Sequence, residues 1–110
     1  MKTDPAPILT LNKINATEEF TDWVNALTDV KARAAIYLRI KRAELGNFGE
    51  YKVLAEGVSE MKVNVGPGYG VYFAREGRVT YLLLCGGDKS TQKVDIKRAR
   101  VIWKAIKEQT

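Results

Sequence analysis

The sequence predicts an α+β domain: a run of short apolar strands bounded at both ends by amphipathic helices. Three observations carry this reading. Four strand-length segments follow one another at roughly 51–55, 58–65, 69–75 and 78–85. They are separated only by Glu56-Gly57, Gly66-Pro67-Gly68 and Glu76-Gly77, connections so short that they imply antiparallel hairpins. Helical periodicity precedes this block twice and follows it once. At 110 residues the chain is long enough for one core and too short for two, so residues 1–110 read as a single domain of order βααββββα, with a twisted antiparallel sheet, two N-terminal helices and a C-terminal helix.

Residues 1–7, with Pro5 and Pro7, read as a loose leader. Ile8 to Ile14 alternates apolar and polar side chains imperfectly, as a first strand would. Asn15 with Glu18 three residues on has the spacing of a capping box, and Phe20, Trp23, Val24 and Leu27 then fall on one helical face. Asp29 is placed to cap a second helix running to Leu45, with Ala32, Ile36, Ile40 and Ala43 inward and Gly46 as its stop. A terminal helix starts at Asp88 or Ser90 and reaches about Glu108. Its apolar stripe is Ile96, Ala99, Ile102, Trp103 and Ile106, and its wet side carries Lys93, Lys97, Arg98, Arg100, Lys104 and Lys107.

Composition removes several classes of chemistry. There is no histidine, and Cys85 is the only cysteine, which excludes a zinc site, a disulfide and any Ser-His or Cys-His nucleophile. No cofactor is implied. Catalysis, if present, falls to Lys, Arg, Tyr, Asp or Glu. The net charge of +5 is uneven: residues 1–29 hold two basic and five acidic side chains, the remainder sixteen and eight. A basic body of this kind suits a polyanionic partner, although a solvated basic surface explains the same charge. No apolar stretch approaches membrane-spanning length and no signal-peptide core is visible, so the expected location is the cytoplasm, with no membrane partner.

Two glycine-rich segments invite nucleotide readings and fail them. Gly86-Gly87-Asp88-Lys89-Ser90 lacks phosphate-loop spacing and is not set in a parallel βαβ unit, leaving a turn and a helix start as its ordinary meaning. Gly66-Pro67-Gly68-Tyr69-Gly70 joins two strands and so is not a dinucleotide fingerprint. Strand alternation says more. With Met61, Val63 and Val65 facing the core, Glu60, Lys62 and Asn64 face away; with Val71 and Phe73 inward, Gly70, Tyr72 and Ala74 lie on the open side. Lys62, position 70 and Tyr72 thus share a face, which is either an ordinary solvated sheet surface or a site.

Taken in order, Leu45-Gly46-Asn47-Phe48-Gly49, Gly57-Val58-Ser59-Glu60-Met61-Lys62, Gly66-Pro67-Gly68-Tyr69 with Val71-Tyr72-Phe73, and Leu83 to Gln92 with Asp95-Ile96 resemble the RelE/ParE toxin superfamily, in its HigB-like "addiction module killer" branch. The likeness spans about residues 8–107. It implies a RelE-like, microbial-RNase-like fold and a metal-independent, ribosome-dependent endoribonuclease that cuts translated mRNA. It also implies inhibition by a cognate antitoxin, expected to be a helix-turn-helix DNA-binding protein. On this resemblance Lys62, Gly70, Tyr72 and Lys89 occupy the catalytic positions, and Lys52, Tyr69, Gln92, Lys93 and Lys97 contact RNA. Lys62 stands where the family pattern has arginine, and Lys89 and Gln92 match it.

Position 70 departs from that pattern, which reads Gly-Tyr-Arg-Val-Tyr-Phe. Losing a preorganised cation beside a developing oxyanion costs on the order of a hundredfold in rate. A weakened or inactive enzyme is therefore expected, with Lys62 or Lys89 handling the proton, Tyr72 orienting or stacking on a base, and arginine at position 70 expected to fold normally. Two rivals remain: a ParE-like gyrase inhibitor on the same fold, and a catalytically dead module that binds RNA or an antitoxin.

Overall fold

The computed structural model describes residues 11–109. Its elements are β1 (Lys13–Ala16), α1 (Glu18–Ala26), α2 (Val30–Glu44), β2 (Tyr51–Val53), β3 (Val58–Val63), β4 (Tyr69–Arg75), β5 (Thr80–Asp88), a 3-10 turn (Lys89–Thr91) and α3 (Gln92–Glu108). The order βααββββα is the one expected from the sequence, and the fold is α+β. The first strand lies later than expected, at 13–16; residues 8–10 of the expected strand and the leader at 1–7 lie outside the described residues.

The sheet has the order β1-β5-β4-β3-β2. Its last four strands pair antiparallel through the three short connections, but β1 pairs parallel with β5, so the sheet is mixed rather than antiparallel. The reason is physical: β1 reaches β5 only after two helices and three strands, and no hairpin constrains its direction.

Capping also shifted. Asn15 stays in β1 opposite Leu82, and Thr17 caps α1, its Oγ1 accepting from the Phe20 amide at 3.0 Å while its hydroxyl donates to the Leu84 carbonyl at 2.7 Å. Asp29 caps α2 as expected, accepting from the Ala32 amide at 3.1 Å. At the far end, Asp88 caps the 3-10 turn through the Ser90 amide, and α3 begins at Gln92.

Both faces of the sheet are covered. On one, Phe20 and Val24 of α1 and Ala32 and Ile36 of α2 pack on Met61, Val63, Val71, Phe73 and Leu83. On the other, Ala99 and Trp103 of α3, supported by Ile96, Ile102 and Ile106, pack on Val58, Tyr72, Ala74, Leu82, Leu84 and Cys85. The expectation of an open side bearing Tyr72 and Ala74 is thus corrected. Alternation assigns side chains to a face without saying what covers it, and the apolar stripe of α3 buries itself there. A register shift between Tyr72 and Phe73 turns both Leu84 and Cys85 toward α3.

The Gly86-Gly87 pair is not a turn but the end of β5. A side chain on Gly87 would run into the Asp95 carboxylate of α3, and one on Gly86 into the Trp23 ring of α1. One glycine admits each helical layer to the same strand end.

Candidate functional site

The register builds the site. Lys62 of β3 lies opposite Gly70 of β4, which lies opposite Gly87 of β5, and the neighbouring row runs Lys52, Glu60, Tyr72, Cys85 across β2 to β5. Two glycines in the first row leave a hollow over the sheet. The second row and the start of α3 wall it in. The hollow has a volume of ≈ 10 Å³, about that of one water, and its lining includes Glu60, Lys62, Tyr72, Asp88, Lys89 and Gln92. Gly68, Tyr69 and Gly70 complete the floor.

Glu60 is the centre of this arrangement, and the sequence reading gave it no role. It is 3 % exposed, and it accepts hydrogen bonds from the Tyr72 hydroxyl at 3.3 Å and from Gln92 Nε2 at 3.0 and 3.2 Å. Both donors are neutral. Tyr72 is 1 % exposed, and burial, reinforced by the Glu60 carboxylate, pushes its phenol far above the ordinary value. The hydroxyl therefore keeps its proton and remains a donor. The signal that could have found Glu60 was present in the alternation, which put it on the same face as Lys62 and Tyr72.

Gly70 is where sequence expectation and structure part. A Cβ at this position would meet the Tyr72 hydroxyl at 2.7 Å, the Glu60 Oε2 at 2.8 Å and the Tyr72 Cζ at 2.9 Å. The contacts belong to the end of a buried ring and to a doubly held carboxylate, neither free to move aside cheaply. The arginine expected to fold normally at this position would press its Cβ on both of these side chains. The space such a side chain would need is occupied by Tyr72 and Glu60.

Of the sequence-derived site residues, Lys62, Gly70, Tyr72, Lys89 and Gln92 come together in the hollow. Lys62 is half-buried, and Lys89 is exposed, its stem lying over Gly68. Tyr72 is too deeply buried to stack on a base. Tyr69 borders the hollow, but its ring belongs to the opposite core and meets Trp23 edge-on with centroids 6.2 Å apart; it is not a free stacking surface. Burial, then the Asp29 and Asp88 carboxylates, raise its phenol as well. Lys52 lies on the edge strand at the end of the Glu60 row, Lys93 on the first turn of α3, and Lys97 further along α3 beside Arg100 and Lys104; these three line the approaches rather than the hollow.

Arg39 of α2 fixes the near rim. Its guanidinium donates to the backbone carbonyls of Lys62, Phe48 (2.9 Å) and Glu50 (3.1 Å), tying β3 to the loop before β2. Among the described residues no group of three or more His, Cys, Asp or Glu side chains is placed to hold a metal ion. Nor is any described helix long and apolar enough to cross a membrane.

Fold and site together define a small basic α+β protein with a polar hollow between a sheet and its C-terminal helix. An uncharacterized protein of Haemophilus influenzae (strain ATCC 51907 / DSM 11121 / KW20 / Rd) is 43% identical to it over 90 residues, 82% of this chain and 91% of that protein. The chain belongs to the same family as that Haemophilus protein. No protein-family model matches the chain, and no solved structure matches it.

Proposed function

We propose that this protein is the toxin of a type II toxin-antitoxin pair, a RelE-like domain that cuts mRNA on the ribosome without a metal. The observation that carries the reading is the convergence of Lys62, Lys89 and Gln92 with a buried carboxylate in one hollow at the head of a basic helix. In-line attack of a ribose 2′-hydroxyl on the adjacent phosphate needs a proton acceptor, cations for the phosphoryl oxygens and a fixed geometry, and no redox or Lewis-acid step. Lys62 and Lys89 supply the cations; Lys52, Lys93 and Lys97 extend the positive surface along which an RNA backbone is drawn in. A site this sparse relies on the ribosome to place its substrate. Without the guanidinium of the family pattern, cleavage is slower than in an arginine-bearing site. The partner is an antitoxin that covers the basic hollow or grips α1 and α2, and the protein acts in the cytoplasm.

The dead-module rival draws on the closed hollow, which holds a single water-sized volume. Purified protein added to translating ribosomes, followed by mapping of mRNA 5′ ends, separates the readings. New ends that appear only with ribosomes support the endonuclease. Ribosome binding that falls steeply with salt while mRNA stays intact favours the binding module, and blocked gyrase with intact mRNA favours the ParE-like reading.

A further inference from the structure

We propose that the groove between the β2–β3 turn and α3 is a second binding site, apart from the hollow, for the phosphate backbone of a nucleic acid, and that the Glu56 carboxylate is the internal anion that a phosphate displaces there. The groove has a volume of ≈ 310 Å³ and is lined by Glu56, Lys97, Arg100, Val101 and Lys104. Where the hollow takes about one water, this space is open to a phosphodiester. Lys97, Arg100 and Lys104 lie at i, i+3 and i+7 on α3, beside the stripe that packs on the sheet. At about 1.5 Å per residue, Arg100 and Lys104 stand about 12 and 18 Å along the helix from Gln92, well clear of the hollow.

Two arginines of α3 hold a carboxylate from elsewhere in the fold, and only one of them stands in excess charge. Arg98 meets Glu19 of α1 through Nε and Nη2 at 2.6 to 3.1 Å, one cation against one anion. Arg100 donates through Nε to Glu56, but Lys97 and Lys104 flank it, so the groove sets three cations against one carboxylate. Glu56 also occupies a position ill suited to its type. With a φ of 60° it is the one non-glycine at positive φ among the described residues, and it shares a tight turn with Gly57 at 83°, where asparagine or glycine is favoured. The turn is pressed on α3: a Cβ on Gly57 would meet Trp103 Nε1 at 2.9 Å. A strained position thus carries a side chain that delivers a carboxylate to the centre of a cationic groove.

The lining decides between partners. Val101 is its only apolar side chain, so a protein would find cations there and little surface to bury. A phosphate backbone binds through charge and counterion release alone. One phosphate takes the place of Glu56 on Arg100, and Lys97 and Lys104 face its neighbours. The carboxylate sets a threshold: an isolated anion loses to an intramolecular competitor, whereas a backbone with several phosphates displaces it.

The test is fluorescence anisotropy of a short labelled 2′-O-methyl RNA, which offers no 2′-hydroxyl for cleavage, titrated with the full chain over a salt series. It involves neither ribosomes nor cleavage, so its failure leaves the endonuclease reading standing. Glu56→Gln should bind about twofold to fivefold tighter at low salt, the worth of one exposed ion pair. Glu56→Asn removes the same charge where the backbone suits asparagine and should tighten binding equally, which covers a glutamine variant that folds poorly. Arg100→Gln and Arg98→Gln each remove one cation and release one carboxylate, so net charge does not distinguish them. Arg100→Gln should lose about fivefold in affinity and Arg98→Gln less than about twofold. Lys97→Gln with Lys104→Gln should lower the slope of log affinity against log salt by about 1.4, at ~0.7 per phosphate contact. Equal losses at Arg98 and Arg100 would reduce the groove to undirected net charge, and unchanged binding by both Glu56 variants would leave Glu56 a structural clamp; either overturns the proposal. So does polyglutamate that competes as well as RNA of equal charge, since the groove would then favour an acidic protein.

Discussion

The two faces of the sheet are built from the same five strands, one covered by α1 and α2 and the other by α3, yet only one is dry. Beneath α1 and α2 the buried side chains are apolar, with the Phe48 ring stacked on Phe73 at 5.1 Å as a continuation of that core. Beneath α3 a comparable apolar core is interrupted at one end by a carboxylate, a phenol and an amide. A buried carboxylate held by neutral donors costs stability that an apolar side chain of the same volume would not. Both faces therefore contribute core, but the second gives some of that stability up where Glu60, Tyr72 and Gln92 interrupt it.

The contrast can be broken most forcefully on the dry face. Phe20→Ala should lower unfolding stability by about 3–5 kcal/mol in urea titration, since the ring is buried among both helices and the sheet. A loss under about 1 kcal/mol would mean that this face is not the principal core. Gly70→Arg comes next, at about 1–3 kcal/mol for forcing atoms against Tyr72 and Glu60. If the proposed cleavage is present, Gly70→Arg should not raise it, although the pattern of the toxin superfamily the sequence resembles predicts that it would; a stable, more active Gly70→Arg would show that the hollow opens readily. Tyr72→Phe should cost about 1–2 kcal/mol by leaving Glu60 with Gln92 alone, visible as a lower denaturant midpoint with unchanged slope.

The smallest effect at neutral pH belongs to Cys85, whose thiol is pushed up to about 12 by burial, with the Asp95 carboxylate adding to the shift. Because the folded thiol holds its proton more tightly than the unfolded one, its contribution to stability is complete below the unfolded value of 9.0 and is lost as pH rises toward 12. Unfolding free energy should fall by about 1 kcal/mol per pH unit across that window, beyond the slope of a Cys85→Ala variant. Equal alkaline slopes for the two proteins would place the thiol in water.

What the sequence revealed follows the range of its signals. Asp29 as a cap, the Ile96, Ala99 and Trp103 stripe, and the common face of Lys62 and Tyr72 all rest on spacings of two to four residues, which local geometry enforces. The parallel pairing of Lys13 with Thr80 and the seat of α3 over Tyr72 join residues far apart in the chain, and no local periodicity encodes them. Glu60 fell between. Its face was legible, but its burial, its two donors and its approach to Gly70 exist only once β3, β4 and α3 are assembled. Position 70 could be read from the resemblance only as a missing cation; the reason for glycine is a contact made by its neighbours.

Arg39 carries a mechanical consequence. Its side chain reaches from α2 to the carbonyl of Lys62, and the side chain of that lysine emerges on the far side of the sheet. Helix α2 contributes no atom to the hollow, yet it holds the strand that aims one of its two cations. One guanidinium thus anchors on one face the strand that forms the rim on the other, as a bolt through a plate joins fittings on both sides.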